Sequence, residues 1–243
     1  MEQIQYSAIF HMESKHWWYR VRREISLDIL RTLLKNSSSA DLKILDIGCG
    51  TGGLLKELQP FGTVYGVDIA DQAIQFCRER EISNVHLGDI IDIPYPTGLF
   101  DIVFALDVVE HIQDDGTALE EIYRVLEPGG HAIITVPAFQ SLWGVTDKLG
   151  HHKRRYRRGQ IVVKLKKAGF KIERATYFNT FLFLPIAFVR LVVRMFGINM
   201  NSENTSLGFV NKLLYYIFHL ESKLLRVMNF PFGISILAVV QKY

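Results

Sequence analysis

The chain has 243 residues, 49% hydrophobic and 22% charged, enough for one domain with a full core and no disulfide or metal staple. That composition excludes a disordered chain and a collagen. Two cysteines, Cys49 and Cys77, are too few for a cysteine metal cage and suit a reducing compartment. The formal charge of +3 hides an asymmetry: residues 1–122 carry 10 Lys+Arg against 20 Asp+Glu, a net of −10, and residues 123–243 carry 18 against 5, a net of +13. An acidic half and a basic half point to a cationic and an anionic ligand; the plainer alternative is an unevenly solvated surface.

Glu2, His11, Glu13 and Lys15 interrupt the N-terminus, so no secretory leader is expected there. Residues 14–35 repeat apolar side chains at helical spacing, and Asn36, Ser37, Ser38 and Ser39 end the run as a short polar linker. Short apolar strands and helices then alternate. Strands are expected at 43–47, 63–67, 85–87, 100–106 and 131–136, and helices near 52–59, 71–80 and 116–126. Pro128-Gly129-Gly130 reads as a tight turn into the strand at 131–136. A helix at 159–168 ends at Gly169, and two further strands fall at 171–177 and 234–241. Such alternation with continuously apolar strands predicts an α/β fold around a parallel sheet covered on both faces.

The run Asp46-Ile47-Gly48-Cys49-Gly50-Thr51-Gly52-Gly53 follows the first strand and opens a helix. Small residues let the backbone approach a ligand at a helix N-terminus. Gly48, Gly50 and Gly53 also satisfy a dinucleotide G-x-G-x-x-G, so a nicotinamide-dependent oxidoreductase is the rival reading. Asp46 argues against it, because a carboxylate there repels pyrophosphate and attracts a cationic amine or sulfonium. Asp68, at the end of the second strand, suits a ribose diol. Asp89 suits an adenine amine, with Ile90 packing on the ring.

These residues carry a resemblance. Residues 44–52 look like motif I of class I S-adenosylmethionine-dependent methyltransferases, and 64–68 resemble the next motif. Residues 100–112 resemble the fourth-strand motif, and 124–130 the turn before strand five. The branch resembles the small-molecule, quinone-biosynthesis type. The resemblance implies a doubly wound, Rossmann-like, mostly parallel seven-stranded sheet whose last strand is antiparallel. It also implies S-adenosylmethionine as cofactor and S-adenosylhomocysteine as product. Gly48, Gly50 and Gly52, with Asp46 and Cys49, would cradle the methionine part. Asp68 with Ile69 would hold the ribose, Asp89 with Ile90 the adenine, and Leu106 would line the same pocket. The segment around Trp18 and Tyr19 resembles a cofactor cap, in which Arg22 would meet the ligand's carboxylate; ordinary helix packing is the alternative. A second, non-enzymatic alternative is a membrane-associated binding protein on this fold, which the intact Asp46, Asp68 and Asp89 disfavour.

Methyl transfer needs an aligned acceptor and, for a hydroxyl, a base. Histidine suits that role. His111 after the fourth strand, and His151 and His152 in the loop after the fifth, are the candidates, ahead of Asp107 and Asp147. Lys153-Arg154-Arg155-Tyr156-Arg157-Arg158 reads either as a solvated face or as a site for phosphate or anionic headgroups. Trp143, Arg154, Arg155 and Tyr156 are the acceptor-binding candidates. A nucleic-acid partner is disfavoured by the single aromatic in that run.

The stretch 181–198 is the most apolar, but Pro185, Arg190 and Arg194 argue against a spanning helix. Arg190 and Arg194, four apart, would share one helical face. The insert 178–232, with a second amphipathic helix near 210–227, packs on the sheet or dimerises, lies in a membrane interface, or lids a greasy pocket. The whole reads as a single domain. Residues 1–39 form a helical cap, 40–137 the cofactor half and 138–243 the acceptor half. Expected partners are a small or lipid-linked acceptor, such as a polyprenyl-linked sugar or prenylated ring, and an anionic membrane. The expected location is cytoplasmic and peripheral to the inner face. No metal is expected.

Overall fold

A computed structural model describes residues 3–35, 41–196 and 208–243. The polar linker expected at 36–39 lies outside the described residues, as does the Arg194 side chain. Two helices open the chain, α1 (Gln3–Met12) and α2 (Trp17–Leu34). α2 matches the amphipathic pattern and buries Val21, Ile25 and Leu30. α1 is absent from the sequence reading because its apolar residues surround the axis instead of forming a stripe. Tertiary contacts hold it: Phe10 stacks on Phe76, and the Arg80 guanidinium lies over the Phe10 ring.

The alternating section follows as β1 (Leu42–Ile47), α3 (Gly53–Leu58), β2 (Gly62–Asp68), α4 (Asp71–Glu79), β3 (Val85–Leu87), β4 (Phe100–Leu106), α5 (Asp115–Val125) and β5 (Leu126–Pro137). Asp114 caps α5 by accepting from the Gly116 and Thr117 amides. After β5 come α6 (Val145–Leu149), α7 (Arg158–Lys167), β6 (Lys171–Phe178), α8 (Phe183–Phe196), α9 (Gly208–Leu225) and β7 (Ser235–Gln241). Gly169, at a φ of +102°, ends α7. Its amide bonds the Lys166 carbonyl and the Phe170 amide bonds that of Leu165, a Schellman turn.

The seven strands form one sheet in the order β3-β2-β1-β4-β5-β7-β6. β7 runs antiparallel to β5 and β6, and the β1 to β5 pairings are parallel. β4 is buried at Ile102–Leu106 without alternation, as a strand covered on both faces must be. One boundary differs from expectation. β5 begins at Leu126, and Pro128-Gly129-Gly130 forms an irregularity inside the strand instead of a turn before it. Leu126 pairs with Phe100 and His131 with Ile102, so the extra residues bulge out.

Strand order reverses between β1 and β4. The chain leaves β1 outward to β2 and β3, then returns to β4 on the other side. Ligands of open α/β sheets bind at the carboxyl ends of the strands beside such a switch. That placement brings the glycine-rich turn after β1 against the segment after β4. A Cβ on Gly48 would stand 2.5 Å from the Val108 side chain, at a φ of +68°, so this position requires glycine.

The two insert helices have different surroundings. α9 lies along α2: Tyr215 and His219 bond Glu24 at 2.8 and 2.7 Å, and Arg226 bonds Asp28. Phe218 is fully buried and stacks on Trp18. α8 reaches inward through Ile186 and Arg190, while Leu184, Phe188, Leu191 and Met195 face out at 74, 66, 55 and 69% exposure. These four recur at i, i+4, i+7 and i+11, one continuous apolar stripe. Among the described residues, no helix is long and apolar enough to cross a membrane.

Candidate functional site

A cavity of about 810 Å³ lies across the carboxyl ends of β1, β2 and β4, within the usual ~300–1,000 Å³ of small-molecule sites. Its floor is the turn after β1. The Gly48 and Cys49 amides both donate to the Val67 carbonyl, at 2.8 and 3.1 Å, tying the turn to β2. Gly50 has a φ of +53° and no atom within 4 Å of where its Cβ would be. The turn therefore offers bare backbone to a ligand. Gly52 is not among the lining residues. It shapes the turn instead, as the left-handed N-cap of α3. Cys49 lines the cavity, while its Sγ lies 3.9 Å from that of Cys77.

Asp68 ends β2 as a hydrogen-bond hub. Oδ2 accepts from the Gly50 amide at 2.9 Å. Oδ1 accepts from the Ala70 amide at 3.0 Å and the Tyr6 hydroxyl at 3.2 Å. Burial and the Asp68 charge push the Tyr6 hydroxyl well above its ordinary pKa, so it stays a donor. Sequence reasoning missed Tyr6, and with it Glu13, which is buried beneath the turn. Glu13 accepts from the Thr51 hydroxyl at 2.8 Å and from Arg80. Neither had a local signal, because their partners lie 38 to 67 residues away. Ile69, Asp89, Ile90 and Leu106 all line the cavity where their strand ends place them.

Asp46, at the end of β1, is 4% exposed. Burial pushes its carboxyl up to about 7; Arg22 pulls it down, and Asp68 and Glu13 oppose that pull. A cationic amine beside it would restore the charged form. Ligand binding near neutral pH is therefore expected to release a proton. In the empty protein the sign is opposite to the usual carboxylate: the fold keeps a proton that the unfolded chain gives up near pH ~3.9, so stability falls as pH rises from about 4 to 7. Calorimetry of S-adenosylhomocysteine binding in two buffers of different ionisation enthalpy reads the released proton, and Asp46→Asn should abolish it. Equal heats in both buffers would sink this account.

Trp18 forms the cavity's aromatic wall, stacked on Phe178 and Phe218 at interplanar angles of 10° and 7°. Arg22 reaches the cavity but pairs with Asp107. Asp107 also accepts from the Thr135 hydroxyl at 3.1 Å and sits at a φ of +58°. A non-glycine residue held there is a strained position of the sort that clusters at functional sites.

Past Asp107 the cavity meets Glu110, His111, His151 and His152. The His111 and His152 rings lie edge to face, 4.6 Å between centroids. Burial, then the neighbouring His152, lower His111 to about 4, so it is neutral at pH 7. His152 Nδ1 faces Asp147 Oδ1 at 3.0 Å. Burial works to raise the Asp147 carboxyl, but bonds from His152 and Arg155 and the Arg155 charge hold it down at about 2. A permanent carboxylate at Nδ1 fixes the proton there and leaves Nε2 facing the cavity.

The basic loop has a different role from the one its composition suggests. Arg155 is 7% exposed and bonds Asp147 at 2.7 Å and the Ala138 carbonyl at 3.0 Å, though its edge still touches the cavity. Arg154 pairs with Asp115 at 3.2 Å, and the buried Tyr156 donates to the same carboxylate at 2.8 Å. Arg154, Tyr156 and Trp143 do not line the cavity. Buried charges need partners, and these acids supply them. Lys153 remains directed to the cavity, and its amide donates to the Glu110 carbonyl at 2.8 Å.

A switch-point cavity floored by glycine and walled by Asp46, Asp68 and Asp89 gives this α/β protein a carboxyl-lined site with bare backbone at its floor. The bare Gly50 backbone, the Asp68 hub and the proton-holding Asp46 fit a ligand with a ribose and a cationic amine, as S-adenosylmethionine has. Residues 45–134 match the family model described as a methyltransferase domain. Residues of this chain are 36% identical over 101 residues to the demethylmenaquinone methyltransferase of Geobacillus sp. (strain WCH70), covering 37% of this chain and 43% of that protein. They are 35% identical over 119 residues to the malonyl-[acyl-carrier protein] O-methyltransferase of Serratia marcescens, covering 48% and 47%. The matches thus span under half the length of these curated relatives. A solved SAM-dependent methyltransferase from Archaeoglobus fulgidus shares the fold at a TM-score of 0.57 and 21% identity, over 90% of this chain and 94% of that one. Residues 45–134 thus resemble a methyltransferase domain, the whole chain shares the fold of a solved SAM-dependent methyltransferase, and S-adenosylmethionine is the cofactor that this resemblance implies.

Proposed function

We propose that this protein transfers a methyl group from S-adenosylmethionine to a hydroxyl oxygen of an amphiphilic, lipid-linked acceptor. The observation that carries this reading is one continuous cavity that joins the glycine cradle to a histidine pair and reaches Ile186 and Arg190 of α8. The cofactor supplies an activated methyl on a sulfonium, so the protein's task is alignment, exclusion of water and handling of one proton. Asp46, Asp68 and Asp89 would fix the ligand's ammonium, ribose and adenine. Trp18 covers the cavity and Arg22 stands ready to exchange Asp107 for the ligand's carboxylate. The acceptor hydroxyl meets the His111–His152 pair, where the free Nε2 of His152 takes its proton. His151 stands at the rim, and Lys153 and Arg190 offer charge to an anionic group on the acceptor.

The lipid-linked class is favoured by the outward stripes. Leu184, Phe188, Leu191 and Met195 on α8, and Phe209, Leu213, Tyr216 and Leu220 on α9, are exposed, with Lys212 and Lys223 near the second. Apolar residues flanked by cations suit a peripheral helix at an anionic membrane. The test follows labelled methyl from S-adenosylmethionine through a fractionated extract, with and without anionic vesicles. Label in the organic phase and sedimentation with the vesicles are expected. Label confined to the aqueous or macromolecular pool would overturn the acceptor class.

A further inference from the structure

Glu110 follows β4 and is fully buried, with no hydrogen-bond partner on either carboxylate oxygen. An isolated buried carboxylate is costly, and such a group is normally paired or bound to a cation. Two imidazoles stand beside it. One ligand atom each from Glu110, His111 and His152 lies within 4.8 Å of the others, and His152 Nε2 is 3.9 Å from Glu110 Oε1. Asp147, 3.0 Å from Nδ1 of His152, completes a carboxylate–histidine arrangement that directs Nε2 inward. That is the outer shell seen behind most histidine metal ligands: it fixes the tautomer and raises the basicity of the inner nitrogen. The loop is fastened to Glu110 itself through the Lys153 amide.

We propose that Glu110, His111 and His152 bind one divalent transition-metal ion at the acceptor end of the cavity. Two imidazoles and one carboxylate suit an ion of the Zn, Co or Mn kind and leave coordination positions open to the cavity. The ligand atoms need close by only a fraction of their present spacing to reach ~2.0–2.2 Å from a common centre. The ion would balance the buried carboxylate and take the acceptor's hydroxyl oxygen as a further ligand. A bound divalent ion lowers the pKa of a ligating water from ~15.7 to ~7, and a ligating hydroxyl by the same polarisation. The proton then leaves to solvent as the oxygen binds, and Nε2 of His152 serves as a ligand in place of accepting that proton. This inference rests on the hydroxyl-acceptor reading above and adds an oxygen ligand to what the acceptor must present.

The test uses the full chain, stripped with a chelator, desalted and titrated with Co²⁺. Visible ligand-field absorption that saturates at one equivalent, and disappears on adding Zn²⁺, is expected. Glu110→Gln and His152→Ala should each weaken Co²⁺ binding by about 100-fold. Asp147→Asn, acting through His152, should weaken it by ~10–100-fold. S-adenosylhomocysteine binding is measured on every variant in parallel, and a few-fold change at most marks the fold as intact. Glu110→Gln keeps the buried side chain's shape and removes only its capacity to ligate as a carboxylate, so it stays informative if the histidine variant does not fold. Absence of a saturable Co²⁺ spectrum, or variants that bind Co²⁺ as tightly as the parent, would overturn the proposal. If S-adenosylhomocysteine binds while Co²⁺ does not, the metal site alone fails; if S-adenosylhomocysteine does not bind, the methyltransferase reading fails whatever the Co²⁺ result.

Discussion

Asp68→Ala is expected to weaken S-adenosylhomocysteine binding by about 100-fold or more. The side chain accepts from the Gly50 amide, the Ala70 amide and the Tyr6 hydroxyl. A ribose diol would add two charge-assisted bonds, each worth ~1.5–3 kcal/mol. Losing ~3 kcal/mol is about two decades of affinity. Removing the carboxylate also cuts the Gly50 amide's tie to β2, leaving the Gly48 and Cys49 bonds to the Val67 carbonyl, which loosens the part of the turn that a ligand must meet. Asp68→Asn retains the shape but not the charge and should fall between Ala and the parent. Tyr6→Phe separates the two effects. It removes the contact that occupies Oδ1 in the empty protein, so affinity should hold or rise slightly. Isothermal titration of the three variants decides the matter, and a dissociation constant within a few-fold of the parent for Asp68→Ala would remove Asp68 from the ligand's contacts.

What the sequence revealed of this site depended on how locally each feature is encoded. Ile102 to Leu106 read as a covered strand because an uninterrupted apolar run has few other solutions, and they are buried without a break. Asp46, Asp68 and Asp89 announced themselves by position, each at or just beyond the end of a strand that the parallel sheet must end on the same side. Gly169 was legible for the same reason: only glycine adopts the left-handed turn there cheaply. Contacts across the chain were not legible. Tyr6 meets Asp68 across 62 residues. Arg155 looked like part of a surface charge run, yet it is a buried counterion because Asp147 and the Ala138 carbonyl converge on it. Composition shows that charge is present but not which cations will be consumed by internal acids. Glu110 belongs with these cases. Next to His111 it read as part of a motif, and only the packed structure shows its oxygens without partners.

Asp147→Ala is expected to cost ~3–5 kcal/mol of stability, the usual penalty for leaving a buried charge without its partner. The carboxylate is fully buried and receives Arg155 at 2.7 Å, His152 at 3.0 Å and the Gly144 amide at 2.8 Å, with Arg190 Nη1 at 3.4 Å. Arg155 is itself buried, so its charge would be stranded. The pH dependence follows from the sign of the shift. The folded carboxyl titrates at about 2, below the ~3.9 of an unfolded chain. Its stabilisation is therefore complete above pH ~4 and drains away as the pH falls from there toward 2. Denaturant unfolding of the parent and of Asp147→Asn should differ most at pH 7 and 5 and converge at the acid end. The same substitution unties α8 from the site, because Arg190 bridges Asp147 and the Leu142 carbonyl. It also removes the group that orients His152, so methyl transfer should fall further than stability alone explains, while S-adenosylhomocysteine, bound at the other end of the cavity, should be held as before. A stability loss under ~1 kcal/mol at pH 7 would mean that water replaces Asp147 at little cost, and that Arg155 is less confined than its burial implies.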